Sequence, residues 1–169
     1  MQVVVSDTSC LIDLRVGNVL APLFSLPYRF VIPEDLFESE LLSFSHDEKA
    51  LLKALGLETQ DLDGNQMQLA YDFRQQNPAL TVRDCYALTL AQTTEDAILL
   101  TGDSNLRRCA EALHIKAHGV IWALDLLLEY ECCSPIEALH ALQTWRDDPS
   151  VFLPESALRT RISRYRQTQ

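Results

Sequence analysis

The chain predicts an α/β fold of three layers, α/β/α, built on a central, mainly parallel sheet. Three observations carry that prediction. Short runs rich in β-branched and apolar residues, VVVS at 3–6, YRFVI at 28–32 and AILLT at 97–101, are too brief for buried helices and end at acids, proline or glycine. Longer stretches between them have helical spacing. Strands that alternate with helices need crossover connections, which make the sheet mainly parallel and cover both of its faces.

Taken in order, LIDLRVGNVLAPLF (11–24) continues from the first strand as a helix up to Pro22, and the second strand ends at Pro33. EDLFESELLSF (34–44) reads as one helix. Ser45 and Glu48 form a capping-box pattern that opens a helix closing at Gly56, and LETQDL (57–62) is a short strand or an extended connection. QMQLAYDFRQQ is helical before Pro78, and TVRDCYALTLAQTTE is helical after it. After AILLT come a helix over SNLRRCAEALH, a candidate strand IKAHG and a helix over VIWALDLLLEYE. Ser134 and Pro135 supply an N-cap and a first-turn proline for SPIEALHALQTW. The last helix is PESALRTRISRYRQ.

With 169 residues, 47% apolar and 22% charged, the chain suits a single domain, 1–169, of ordinary globular composition. The net charge of −10 argues against a protein that coats nucleic acid through a broad basic surface, but it does not exclude a nuclease. Cation-dependent enzymes gather carboxylates, and the bound ion then supplies the missing positive charge. Residues 154–169 form a basic C-terminal helix, with four arginines against one acid. Such an end could touch phosphate or an acidic partner, or it could be an ordinary solvated face.

Cys10, Cys85, Cys109, Cys132 and Cys133 are odd in number and show no paired CxxC spacing. They suit reduced thiols and a cytoplasmic location better than disulfides or zinc. The N-terminus lacks the regions of a signal peptide, and no apolar stretch reaches the roughly 20 residues that span a bilayer.

In open α/β sheets ligands collect beyond the carboxyl ends of the strands. Asp7 stands there after the first strand, beside Thr8 and Ser9, and Asp103 stands there after AILLT, beside Thr101 and Ser104. Each could simply N-cap the next helix. Asp84 aligns with Leu88 and Ala91 at i+4 and i+7, in line with the buried stripe of its helix, or else it answers Thr81 as a first-turn acid. A further acid comes from the 34–44 stretch. Glu40 shares the face of Phe37, Leu41 and Phe44, so it is preferred to Glu38, which falls further round. Several carboxylates converging at one edge repel each other unless a divalent ion neutralises them, and hard oxygen ligands suit Mg²⁺ or Mn²⁺. Such ions activate water and stabilise the attacking and leaving oxygens of a phosphodiester.

In these residues the chain resembles the PIN-domain family, and is similar to the VapC-type toxin ribonucleases of toxin–antitoxin systems. The matching stretches are VVVSDTSCLIDL around Asp7, VIPEDLFESEL around Glu40, VRDCYALTLA around Asp84 and ILLTGDSNLRRCA around Asp103. The resemblance implies a PIN-like fold and metal-dependent endonucleolytic cleavage of RNA. It assigns Mg²⁺ or Mn²⁺ binding to Asp7, Glu40, Asp84 and Asp103, with Glu38 the alternate to Glu40. Thr8 or Ser9 would orient Asp7, and Thr101 would serve the Asp103 end. It also implies a small antitoxin partner covering the acidic cleft. A homodimer through VIWALDLLLEY is open, against the simpler reading of that helix as core.

Two other classes compete. One is a PIN-fold interaction protein without turnover, in which the acids only stabilise helix ends. The other is an acid-bearing phosphatase or receiver domain, disfavoured because SDTS lacks the DxDx[TV] arrangement and no lysine follows a late strand as a receiver requires.

Overall fold

Five short strands, all parallel, form one sheet in the order β3-β2-β1-β4-β5. The computed structural model describes residues 1–168. The strands are β1 Gln2–Ser6, β2 Tyr28–Pro33, β3 Glu58–Gln60, β4 Ile98–Leu100 and β5 Lys116–His118. β1 lies in the middle because its Val4 and Val5 are fully buried and can be covered on both faces. The chain builds outward from β1 through β2 to β3, then returns to place β4 on the other side of β1 and β5 beyond it. The order reverses between β1 and β4, and a crevice opens beyond the strand ends at such a reversal.

The helices are α1 Thr8–Val16, α2 Leu20–Leu23, α3 Glu34–Ser39, α4 His46–Leu55, α5 Gly64–Gln76, α6 Val82–Gln92, α7 Ser104–Ala112, α8 Val120–Glu129, α9 Pro135–Asp147 and α10 Glu155–Arg166. Capping boxes open α4 at Ser45, α5 at Asp63, α6 at Thr81 and α9 at Ser134. Gly56 ends α4 at φ 122°, a conformation that other residues adopt only under strain. The core joins the sheet to α6 through Ala87, Leu88 and Leu90, and extends to Trp145 of α9 and to Leu158, Ile162 and Tyr165 of α10.

Three expectations change. The stretch 11–24 is two helices, because the turn around Asn18 at φ 58° separates α1 from α2, and Pro22 lies inside α2. The stretch 34–44 is helical only to Ser39. There the amides of Glu40 and Leu41 both turn back to the Leu36 carbonyl, and Leu41 and Phe44 are buried by the turn that follows rather than by a helical face. In the basic last helix, Arg161 points inward and holds Asp125 of α8 at 3.0 Å, with the Tyr165 hydroxyl donating to the same carboxylate. The acidic partner of that helix therefore includes a residue of the same chain. Val120, Ala123, Leu124 and Leu127 of α8 are buried, as the core reading of that helix requires.

Candidate active site

Asp7 leaves β1 and caps α1, and its amide donates to the Leu100 carbonyl at 3.0 Å, so it stands level with the end of β4. Its Oδ1 accepts from the Cys10 amide and the Ser9 hydroxyl, each at 3.0 Å, and its Oδ2 from the Thr101 hydroxyl. Only 7% of the residue is exposed. Burial pushes its carboxyl above the ordinary range, while the hydrogen bonds from Thr101, Cys10 and Ser9 pull it back. All of these opposing groups are neutral donors.

Thr101 has a second duty. Its Oγ1 accepts the Asp103 amide at 3.1 Å, so one hydroxyl ties the strand-end loop of β4 to the carboxylate at the end of β1. Asp103 caps α7, and its Oδ1 accepts the Asn105 and Leu106 amides at 2.8 and 2.9 Å. Asp84 is the third residue of α6, whose start falls at this edge because a crossover helix runs back against its strands. Its Oδ2 accepts the Thr81 amide at 2.8 Å, completing the capping box. Of the two readings of Asp84, the first-turn cap is realised.

Glu40 follows α3 as its C-cap residue and lies 3.7 Å from the Arg83 guanidinium. Burial raises its carboxyl, the Thr8 hydroxyl and Arg83 lower it, and the charges of Asp84 and Asp7 raise it again. Asp7, Glu40 and Asp84, from three separate segments, therefore lie in one electrostatic field. Glu38 is exposed, and its charge falls on Glu34, which is pushed up first by its hydrogen bond with Asp61.

Among the described residues, no group of three or more His, Cys, Asp or Glu is gathered tightly enough to hold a metal ion as it stands. Each of the three aspartates gives one oxygen to its own helix N-terminus. The donors nonetheless fit a hard divalent cation. All are oxygens, and Oδ1 of Asp84 and Oδ2 of Asp103 accept no hydrogen bond from the described residues. The Thr8 hydroxyl is buried without a hydrogen-bond partner, although it lies close enough to Glu40 to hold that carboxyl down.

Three residues join the picture that the sequence did not single out. Asp13, on α1, is pushed up to about 6 by burial and by the charges of Asp7 and Asp148. Arg83 bridges Asp35 at 2.8 Å and Glu40. Arg107 donates to the Thr101 carbonyl at 3.2 Å. Asp13 could have been noticed as an acid between Ile12 and Leu14 in an apolar helix, but the two arginines carry no such local mark.

A family model for DUF3368, a PIN domain, matches residues 3–166, and the chain belongs to the PIN-domain family. α10 falls within that span. PIN domains are generally nucleases, usually dependent on divalent metals, so the chain is placed in a nuclease superfamily. No curated protein matches it. None of the described helices is long and apolar enough to cross a membrane.

Proposed function

We propose that the chain is a divalent-cation-dependent endoribonuclease that hydrolyses RNA phosphodiesters. The observation that carries this reading is the Thr101 hydroxyl, which joins the Asp7 carboxylate to the Asp103 loop at the point where the strand order reverses, with Glu40 close enough to feel the charges of Asp7 and Asp84. Asp7, Glu40, Asp84 and Asp103 would hold Mg²⁺ or Mn²⁺, which when bound neutralises phosphate charge and makes water a better nucleophile. The protein's own residues prepare the site. Thr101 and Ser9 fix the two oxygens of Asp7, Thr8 presents its unpartnered hydroxyl beside Glu40, and Arg83 orients Glu40 from outside. With water as the attacking group no protein nucleophile is needed. Cys10, beside Asp7, is fully buried, and its thiol is pushed far up by burial, so it serves as packing.

In its cellular role the protein would be the toxin of a toxin–antitoxin pair in the cytoplasm, with an antitoxin segment covering the acidic edge through an arginine. The test is Mn²⁺-dependent cleavage of mixed RNA by the wild type and by Asp7→Asn. Cleavage by the wild type and its loss in the variant support the proposal.

A second reading is a PIN-fold interaction protein without turnover, and the use of all three aspartates as helix caps favours it. That reading predicts no cleavage and no thermal shift with cation.

A further inference from the structure

Beside the acidic edge, on the α7 side, lies a cleft of about 720 Å³. Gly102 and Ser104, which flank Asp103, line it together with Arg107, Arg108, Phe152 and Pro154. We infer that this cleft holds the nucleotide next to the scissile phosphate in a single-stranded RNA, with Arg107 on its phosphate and its base stacked on Phe152. The inference rests on the nuclease reading and names how that site takes its substrate.

Three features support it. Arg107 has no carboxylate within ion-pair distance among the described residues, and its Nε is buried without a hydrogen-bond partner. Its head is placed by the Thr101 carbonyl at 3.2 Å, which fixes a cation one residue's length from the Asp7 and Asp103 anchor. Gly119 makes room for it, since a Cβ there would meet Arg107 Nη2 at 3.0 Å. Phe152 is 86% exposed, more than any other large apolar residue described, yet its neighbour Val151 is buried. The approach to it is stiffened at Asp148, whose carboxylate accepts from the Ser150 amide at 2.8 Å and the Ser150 hydroxyl at 2.6 Å. A ring displayed in water on an anchored segment, beside an unneutralised guanidinium, matches a ligand that carries both a π-face and an anion.

Asp13 and Glu111 also line the cleft and offset the two arginines in net charge. A polyanion with no flat base would gain little there. A duplex, whose bases are already stacked on one another, could not use the ring.

Two variants test this. In Phe152→Trp the new indole reports stacking, read as the difference from wild-type fluorescence on titrating a short mixed-sequence single-stranded RNA with Ca²⁺ present. Strong quenching by the single strand, and little by the same sequence as a duplex, is expected. Phe152→Ala should raise KM by roughly tenfold, the scale of one base–aromatic stack, with a much smaller change in kcat and an unchanged Tm. Arg107→Gln should flatten the salt dependence of RNA binding by about 0.7 in log–log slope, one phosphate contact. Cleavage that persists with no quenching and a wild-type KM for Phe152→Ala would overturn the inference and leave the nuclease reading intact. Quenching without cleavage would keep the cleft and remove the nuclease. Loss of both removes both.

Discussion

Asp13 offers a test of what burial beside Asp7 and Asp148 does to a carboxylate. Its carboxyl, ordinarily near 3.8, is pushed up to about 6, chiefly by burial and next by Asp7 and Asp148. At about 1.4 kcal/mol per pKa unit, a shift of this size would correspond to roughly 3 kcal/mol for a fully buried group. The side chain keeps contact with solvent, and screening reduces the figure to about 1 kcal/mol. The sign follows from proton binding. The folded state holds this proton more tightly than the unfolded state, so the cost of ionising Asp13 is fully present above about pH 6 and fades as pH falls towards 4. Asp13→Asn should therefore be more stable than wild type at pH 7.5 by about 1 kcal/mol, or roughly 2–4 °C in Tm, with no advantage near pH 4. Thermal or urea unfolding at the two pH values measures it. A variant less stable at pH 7.5, or equally shifted at both pH values, would refute the reasoning.

Other outcomes follow from the same contacts. Thr101→Val removes the hydroxyl that joins Asp7 to the Asp103 amide, and should cost about 1–3 kcal/mol in urea unfolding as well as lowering RNA cleavage. Gly17→Ala would drive a Cβ to 2.8 Å from the indole nitrogen of Trp145, which donates to the Asp13 carbonyl at 2.7 Å; a loss of about 1–3 kcal/mol is expected by the same assay. Asp125→Ala leaves Arg161 and Tyr165 without their carboxylate, so hydrogen exchange over 155–166 should accelerate well before global unfolding. The folded pKa values of Asp7 and Glu40 are raised, so protons compete with cations at this edge. Mn²⁺ affinity, followed by calorimetry, should rise with pH through a midpoint above the ordinary carboxylate range; a flat profile between pH 5 and about 7 counts against it.

What could be read from the sequence was what local rules decide. Asp7 and Asp103 end buried strands and begin helices, and both the strand-end rule and N-cap chemistry act over a few residues. The capping box at Ser45, the Thr81–Asp84 pair as one of two readings and the N-cap at Ser134 are legible for the same reason. The helical face that favours Glu40 over Glu38 ends at Ser39, and Glu40 comes within the field of Asp84 from a turn in which Leu41 and Phe44 are buried. Periodicity cannot describe such a turn. The inward arginine of α10 depends on Asp125 of α8, 36 residues earlier; Arg107 reaches the Thr101 carbonyl only six residues back, and it bears on Asp7 because β4 lies against β1. The meeting of α8 with α10 and of β1 with β4 is set by tertiary packing, which no window of sequence contains.

Manganese soaked into crystals of the protein, located by its anomalous scattering, puts the carboxylate edge to the most direct test. The expected result is a peak in direct contact with Asp7 and with at least two of Glu40, Asp84 and Asp103, at ligand distances of roughly 2.0–2.3 Å. No peak there at a manganese concentration that supports RNA cleavage, or a peak elsewhere that Asp7→Asn leaves in place, would contradict a metal centre at the β1–β4 switch point.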